Sequence, residues 1–103
     1  MLITYIKINV LPEKCIEFEQ TVFALRSEFR KTKGCLSYNI YKDTEHDTAY
    51  FLIGEWQKRD AMENHFQTSS SNVLLGAINN LCEPPLVKIR IASLLDNNHR
   101  RLL

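Results

Sequence analysis

The order in which the apolar repeat of this chain changes period constrains its fold more than any single motif. Residues 2–10, LITYIKINV, are rich in β-branched side chains and alternate. Leu2, Thr4, Ile6, Ile8 and Val10 share one face, Ile3, Tyr5, Lys7 and Asn9 the other, which predicts a strand. Pro12 suits the first turn of a helix, and Cys15, Phe18, Val22, Leu25 and Phe29 then recur every three or four residues until Gly34 supplies a stop. CLSYNIYKD (35–43) and AYFLIGEW (49–56) return to β-type composition, and the polar TEHDT between them has the length and chemistry of a hairpin connection. A short helix is predicted around Ala61, Met62 and Phe66. A second is predicted over SSSNVLLGAINNL (69–81), where a serine can cap and Leu74, Ala77 or Ile78, and Leu81 fall at helical spacing. Pro84 and Pro85 end it, and LVKIRIASL (86–94) sets Val87, Ile89 and Ile91 against Lys88 and Arg90 as a last strand.

Strand, helix, strand, strand, helix pair, strand is the α+β, ferredoxin-like βαββαβ order, with a split helix pair before the last strand and helices on one face of a four-stranded antiparallel sheet. The other face then carries Ile3, Tyr5, Phe51 and Ile53, more apolar surface than a small domain leaves wet. At ~25 cal/mol per Å² buried, covering it is worth several kcal/mol, so a homodimer packed through the open sheet face is expected. RNA-recognition domains share this topology and stack bases on such a face. Here the basic–Gly–aromatic pattern is absent from AYFLIGEW, and a net charge of +1 gives no field for a polyanion, so no nucleic acid is expected as partner.

At 103 residues the chain reads as one domain, residues 1–95, followed by a polar tail, 96–103, with no core pattern. Cys15, Cys35 and Cys82 are odd in number, widely spaced and outside any zinc-ligand spacing, which suits a reducing compartment. MLITYIKINV alternates and lacks a basic start and long apolar run, and no segment is apolar enough to cross a bilayer. The expectation is a cytoplasmic protein without a membrane partner.

In WQKRDAMENHFQTSS (56–70), His65 lies four residues after Ala61 and three after Met62, on the inward stripe of the short helix. A histidine there is either a pocket group or a core residue held by a backbone carbonyl. His46 and His99 fall in a loop and in the tail, so spacing supplies no metal site.

The opening strand with Pro12, GCLSYNIYKD (34–43), Glu55–Trp56, AMENHFQT (61–68) and Glu83–Pro85 together resemble the antibiotic biosynthesis monooxygenase domains, dimeric ferredoxin-like α+β barrels that include quinol monooxygenases. The resemblance implies a pocket between helices and sheet in which a small aromatic or quinol-type substrate is oxidised with molecular oxygen, without flavin, haem or metal. An electron-rich phenolate or enolate can pass an electron to oxygen directly, so such a site mainly removes a proton, holds the anion and excludes water. By the resemblance His65 is the candidate base, since burial favours the neutral imidazole. Trp56 and Tyr38 are candidate substrate-contacting residues that also make ordinary core residues. Asn64 and Phe66 beside His65 complete the candidate substrate set, and Asn64 and Asn9 equally suit solvated or capping roles.

Two departures stand out. Many members carry a second histidine just after the short helix, where this chain has Ser70, so a two-histidine proton relay is absent. The acid common two residues before the tryptophan is replaced by Gly54, with Glu55 beside it; a glycine inside a strand implies close approach of backbone or ligand, and hence a wider pocket or a different activity. The haem-degrading branch is excluded, because its Asn, Trp and His positions meet Ile6, His65 and a 70–82 segment without histidine. The expected function is a cofactor-independent monooxygenase. The alternatives are a non-catalytic dimeric small-molecule binding protein and an isomerase-like proton-transfer enzyme acting on a small carbonyl compound.

Overall fold

The computed structural model describes residues 1–84 and 88–93. Strand β1 (Leu2–Asn9) is followed by a 3-10 turn at Pro12–Lys14 and helix α1 (Cys15–Lys31). The hairpin β2 (Cys35–Lys42) and β3 (Ala49–Trp56) comes next, then α2 (Arg59–Phe66), α3 (Ser69–Leu81) and β4 (Lys88–Ser93). The strands form one antiparallel sheet in the order β2-β3-β1-β4, the ferredoxin-like architecture the period changes predict. Among the described residues no helix is long and apolar enough to cross a membrane. The expected tail, 96–103, and the Val87 position of the last strand lie outside the described residues.

Alternation along β1 is realised as read: Leu2, Thr4, Ile6 and Ile8 are buried beneath the helices, while Ile3, Tyr5, Lys7 and Asn9 face away. Val10 leaves the strand and bridges Cys82, tying the end of β1 to the end of α3. α1 buries Phe18, Val22 and Phe29 against the sheet, and α3 buries Leu74, Ile78 and Leu81, so Ile78 rather than Ala77 is the inward residue of that turn.

Three features differ from expectation. The cap of α3 is Thr68, whose Oγ1 accepts from the Ser71 N–H at 3.2 Å; the serines sit inside the first turn, where they follow a cap instead of supplying it. β2 carries a bulge between Cys35 and Ser37, which leaves Leu36 without a partner on β3 and exposed. On β4, Ile89 and Ile91 pair with Ile6 and Thr4 and therefore share the core-facing side, yet they are 42% and 47% exposed. β4 is an edge strand, so the helices that cover the sheet centre leave its outer side open.

Candidate active site

α2 brings Ala61, Met62 and His65 inward, and its approach depends on Gly34. That glycine has φ of +85°, and a Cβ on it would stand 2.5 Å from the Ala61 Cβ, so only glycine permits both the turn after α1 and the seating of α2. The Gln57 N–H donates to the Gly34 carbonyl at 2.8 Å, which fixes the chain at the start of the helix.

His65 is 2% exposed and boxed by aromatic rings. Its ring centroid lies 4.5 Å from Trp56, 4.8 Å from Phe29, 5.0 Å from Phe66 and 5.6 Å from Tyr38. Tyr38 and Phe29 also meet at 4.7 Å. Trp56 enters this box by folding back along its own strand. The space a Cβ on Gly54 would need is within 2.9 Å of the indole and of Thr4 Oγ1, and the indole N–H donates to Thr4 Oγ1 at 3.0 Å. The expected widening at Gly54 is therefore filled by the chain's own tryptophan.

The hydrogen bonds around His65 define its tautomer. The Ser71 hydroxyl donates to the His65 carbonyl at 2.6 Å, so its oxygen is left as the acceptor for His65 Nε2, 3.4 Å away. With the ring proton on Nε2, Nδ1 presents a lone pair, and Nδ1 is buried with no hydrogen-bond partner among the described residues. Burial lowers the imidazole pKa from 6.5 to about 4, which keeps the ring neutral at physiological pH. Burial likewise holds the Tyr38 phenol above its ordinary value, so it stays a hydrogen-bond donor. The His65 carbonyl also accepts from the Thr68 N–H at 3.1 Å and the Thr68 hydroxyl at 2.8 Å, pinning the corner between α2 and α3 on which the ring hangs.

The family model for antibiotic biosynthesis monooxygenases matches residues 1–72, the span that contains β1, the hairpin, α2 and every member of the aromatic box. The chain belongs to the antibiotic biosynthesis monooxygenase family. Solved structures from the same fold superpose closely. A Deinococcus radiodurans protein named provisionally as an antibiotic biosynthesis monooxygenase has a TM-score of 0.86 at 18% identity, covering 93% of this chain and 94% of its own. A conserved protein of Methanosarcina mazei gives 0.84 at 22%, covering 92% and 94%. An uncharacterized protein of Synechocystis is 34% identical over 61 residues, a stretch that is 59% of this chain but 42% of that protein's length.

In this member of the family, His65, Trp56, Tyr38 and Phe66 come together, and Asn64 does not. Asn64 is exposed on the flank of α2, where it lines a separate hollow of about 290 Å³ with Lys33, Lys58 and Asp60. Asn9 is exposed at the opposite end of β1 from Leu2, the residue paired with Trp56. Glu55 faces the other side of the sheet, where it accepts from the Ser37 hydroxyl at 2.6 Å. Ser70, at the position of the absent second histidine, lines a surface hollow with Glu28, Lys31 and Thr32. Ser71, Thr4 and Phe29 also belong to the site, although no motif in the sequence singles them out. Ser71 carries a weak signal, a hydroxyl one turn into a capped helix. Thr4 carries a better one, a polar residue on an otherwise aliphatic strand face.

Proposed function

We propose that this protein is a cofactor-independent monooxygenase acting on a small aromatic or quinol-type molecule, with His65 as the base. The observation that supports it is the buried, neutral imidazole whose Nδ1 lone pair has no partner inside a box of aromatic rings. Leaving such an atom unsatisfied costs about 1–3 kcal/mol, a penalty that a purely structural core would avoid with an apolar residue. In the proposed reaction Nδ1 accepts a hydrogen bond from a phenol or quinol hydroxyl and takes its proton as the electron leaves for dioxygen, while Nε2–H stays bonded to Ser71. As the O–O bond of dioxygen breaks, one oxygen atom replaces a ring hydrogen, the other leaves as water, and the quinol becomes a hydroxyquinone. The quinol supplies both reducing equivalents, so no external reductant enters the balance. Trp56, Phe29 and Phe66 pack on the imidazole and exclude water from it; the Tyr38 hydroxyl donates to a substrate oxygen. His65 is closed off from solvent, so a substrate reaches Nδ1 only when part of the aromatic box opens.

Oxygen uptake with a panel of quinols and polyphenols, wild type against His65→Ala, tests the assignment: uptake that survives the substitution removes His65 as the base. The missing relay partner at Ser70 favours a second reading, a binding protein without turnover, and saturable ligand binding with no uptake by wild type selects it. The proposed assembly is a homodimer through the face that carries Ile3, Tyr5, Phe51 and Ile53, where the Tyr5 and Phe51 rings already meet at 5.6 Å. A monomeric mass by light scattering at micromolar concentration overturns it.

A further inference from the structure

A second convergence of charge and aromatic rings lies at the opposite end of β3 from Trp56. Glu19 and Phe23 stand one turn apart on α1, Ile40 and Lys42 reach in from β2, Tyr50 from β3, and with Tyr41 at the rim they bound a hollow of about 120 Å³. Tyr50 is 1% exposed, and its hydroxyl donates to Glu19 Oε2 at 2.5 Å. Burial first, and then this hydrogen bond, hold the phenol above its ordinary pKa, so it remains the donor. Lys42 Nζ lies 3.6 Å from the same carboxylate oxygen and 5.5 Å from the centroid of the Tyr50 ring. An ammonium is thus already held between a carboxylate and a π face, the pairing that recognises organic cations. The Phe23 ring attracts a cation too, the Arg26 guanidinium at 4.9 Å. Lys42 is half-exposed on the edge strand and can swing into solvent without disturbing the core, whereas Glu19 and Tyr50 are fixed by each other.

We propose that this hollow binds a small organic ammonium, with Glu19 as counter-charge, Tyr50 and Phe23 as aromatic walls, and Lys42 as the internal ammonium that the ligand displaces. The site is separate from the His65 box and does not depend on its chemistry. The chemistry also fixes what the site rejects. A neutral molecule of the same shape gains the aromatic walls but neither the carboxylate nor the ring quadrupole, and it cannot replace what Lys42 gives up.

The test is an NMR titration of the full chain with choline and with its uncharged isostere 3,3-dimethylbutan-1-ol, following the Tyr50 and Phe23 ring signals. Choline is expected to bind about tenfold more tightly than the isostere, a difference of the size a partly desolvated cation–π contact gives. Lys42→Ala, by removing the competing ammonium, is expected to tighten choline binding about threefold or more. Glu19→Gln keeps an oxygen acceptor for the Tyr50 hydroxyl but removes the charge, and is expected to bring choline down to the level of the isostere. Equal binding of the two compounds by wild type, or choline binding unchanged or weakened in Lys42→Ala, overturns the proposal. So does a Glu19→Gln protein with native near-ultraviolet dichroism that still prefers choline.

Discussion

Acidification should destabilise this fold in a way that is traceable to one ring. His65 has a pKa near 4 when folded, against 6.5 for an ordinary histidine, because burial disfavours its charged form. Its folded value is depressed, so as pH falls the unfolded chain takes up the proton first. Stability is therefore fully present above about 6.5 and is lost as pH falls towards 4. With those two values, lowering the pH from 7.5 to 5.5 removes roughly 1 kcal/mol and lowering it to 4.5 removes roughly 2–3 kcal/mol. Small domains have about 5–15 kcal/mol in total, so the effect is readily measured. The carboxylates titrate in part of the same range, which is why the comparison is made with His65→Leu, a variant that keeps them all. Urea unfolding of both proteins at pH 7.5, 5.5 and 4.5 should give stabilities that diverge on acidification, the wild type losing about 2–3 kcal/mol more than the variant. Parallel loss in the two proteins refutes the reasoning, since it means that His65 is protonated alike in the folded and unfolded chain. The same experiment reads the cost of the unpartnered Nδ1: at pH 7.5 the leucine variant should be no less stable than wild type to within about 1 kcal/mol, although it has lost its ring contacts.

Three other substitutions probe how the box is built. Gly54→Ala places a methyl within 2.9 Å of the indole and of Thr4 Oγ1, and should cost about 1–3 kcal/mol with a red-shifted emission from the chain's single tryptophan; unchanged emission contradicts the filled space at Gly54. Thr4→Val leaves the buried indole N–H without its acceptor and should lower stability by about 1–3 kcal/mol in thermal melts, while Thr4→Ser, which restores the oxygen, recovers most of that loss. Ser71→Ala removes the partner of His65 Nε2 and one donor to the His65 carbonyl, and should cost about 1–3 kcal/mol with reduced oxygen uptake. A Ser71→Ala protein as stable as wild type would show that the ring proton is not held there.

Much of the fold was legible because it depends on local period. The alternation of residues 2–10, the repeat from Cys15 to Phe29 and the apolar pair of strands predicted each element and its inward face, and the stripe through Ala61 and Met62 turned His65 inward. Tertiary context hid what lay outside that reach. Ile89 and Ile91 follow the same alternation as the buried residues of β1, but an edge position leaves them open, and edge or centre is a property of the sheet order. Thr68 and Ser69 are both competent caps by chemistry, and only the backbone geometry of the α2–α3 corner selects the threonine.

The candidate site divides along the same line. Local pattern along the chain is enough for the element order, the inward direction of His65, the family resemblance and the absence of a second histidine at Ser70. The fold brings Trp56 over Gly54 and onto Thr4, 52 residues away, and sets the Ser71 hydroxyl oxygen to accept from His65 Nε2–H. It also decided that Asn64, though next to His65 in the chain, faces solvent. The physical reason is range. Period and propensity act over three or four residues and set which way a side chain points, whereas its hydrogen-bond partners and pKa depend on which distant segments the sheet register and helix packing bring against it.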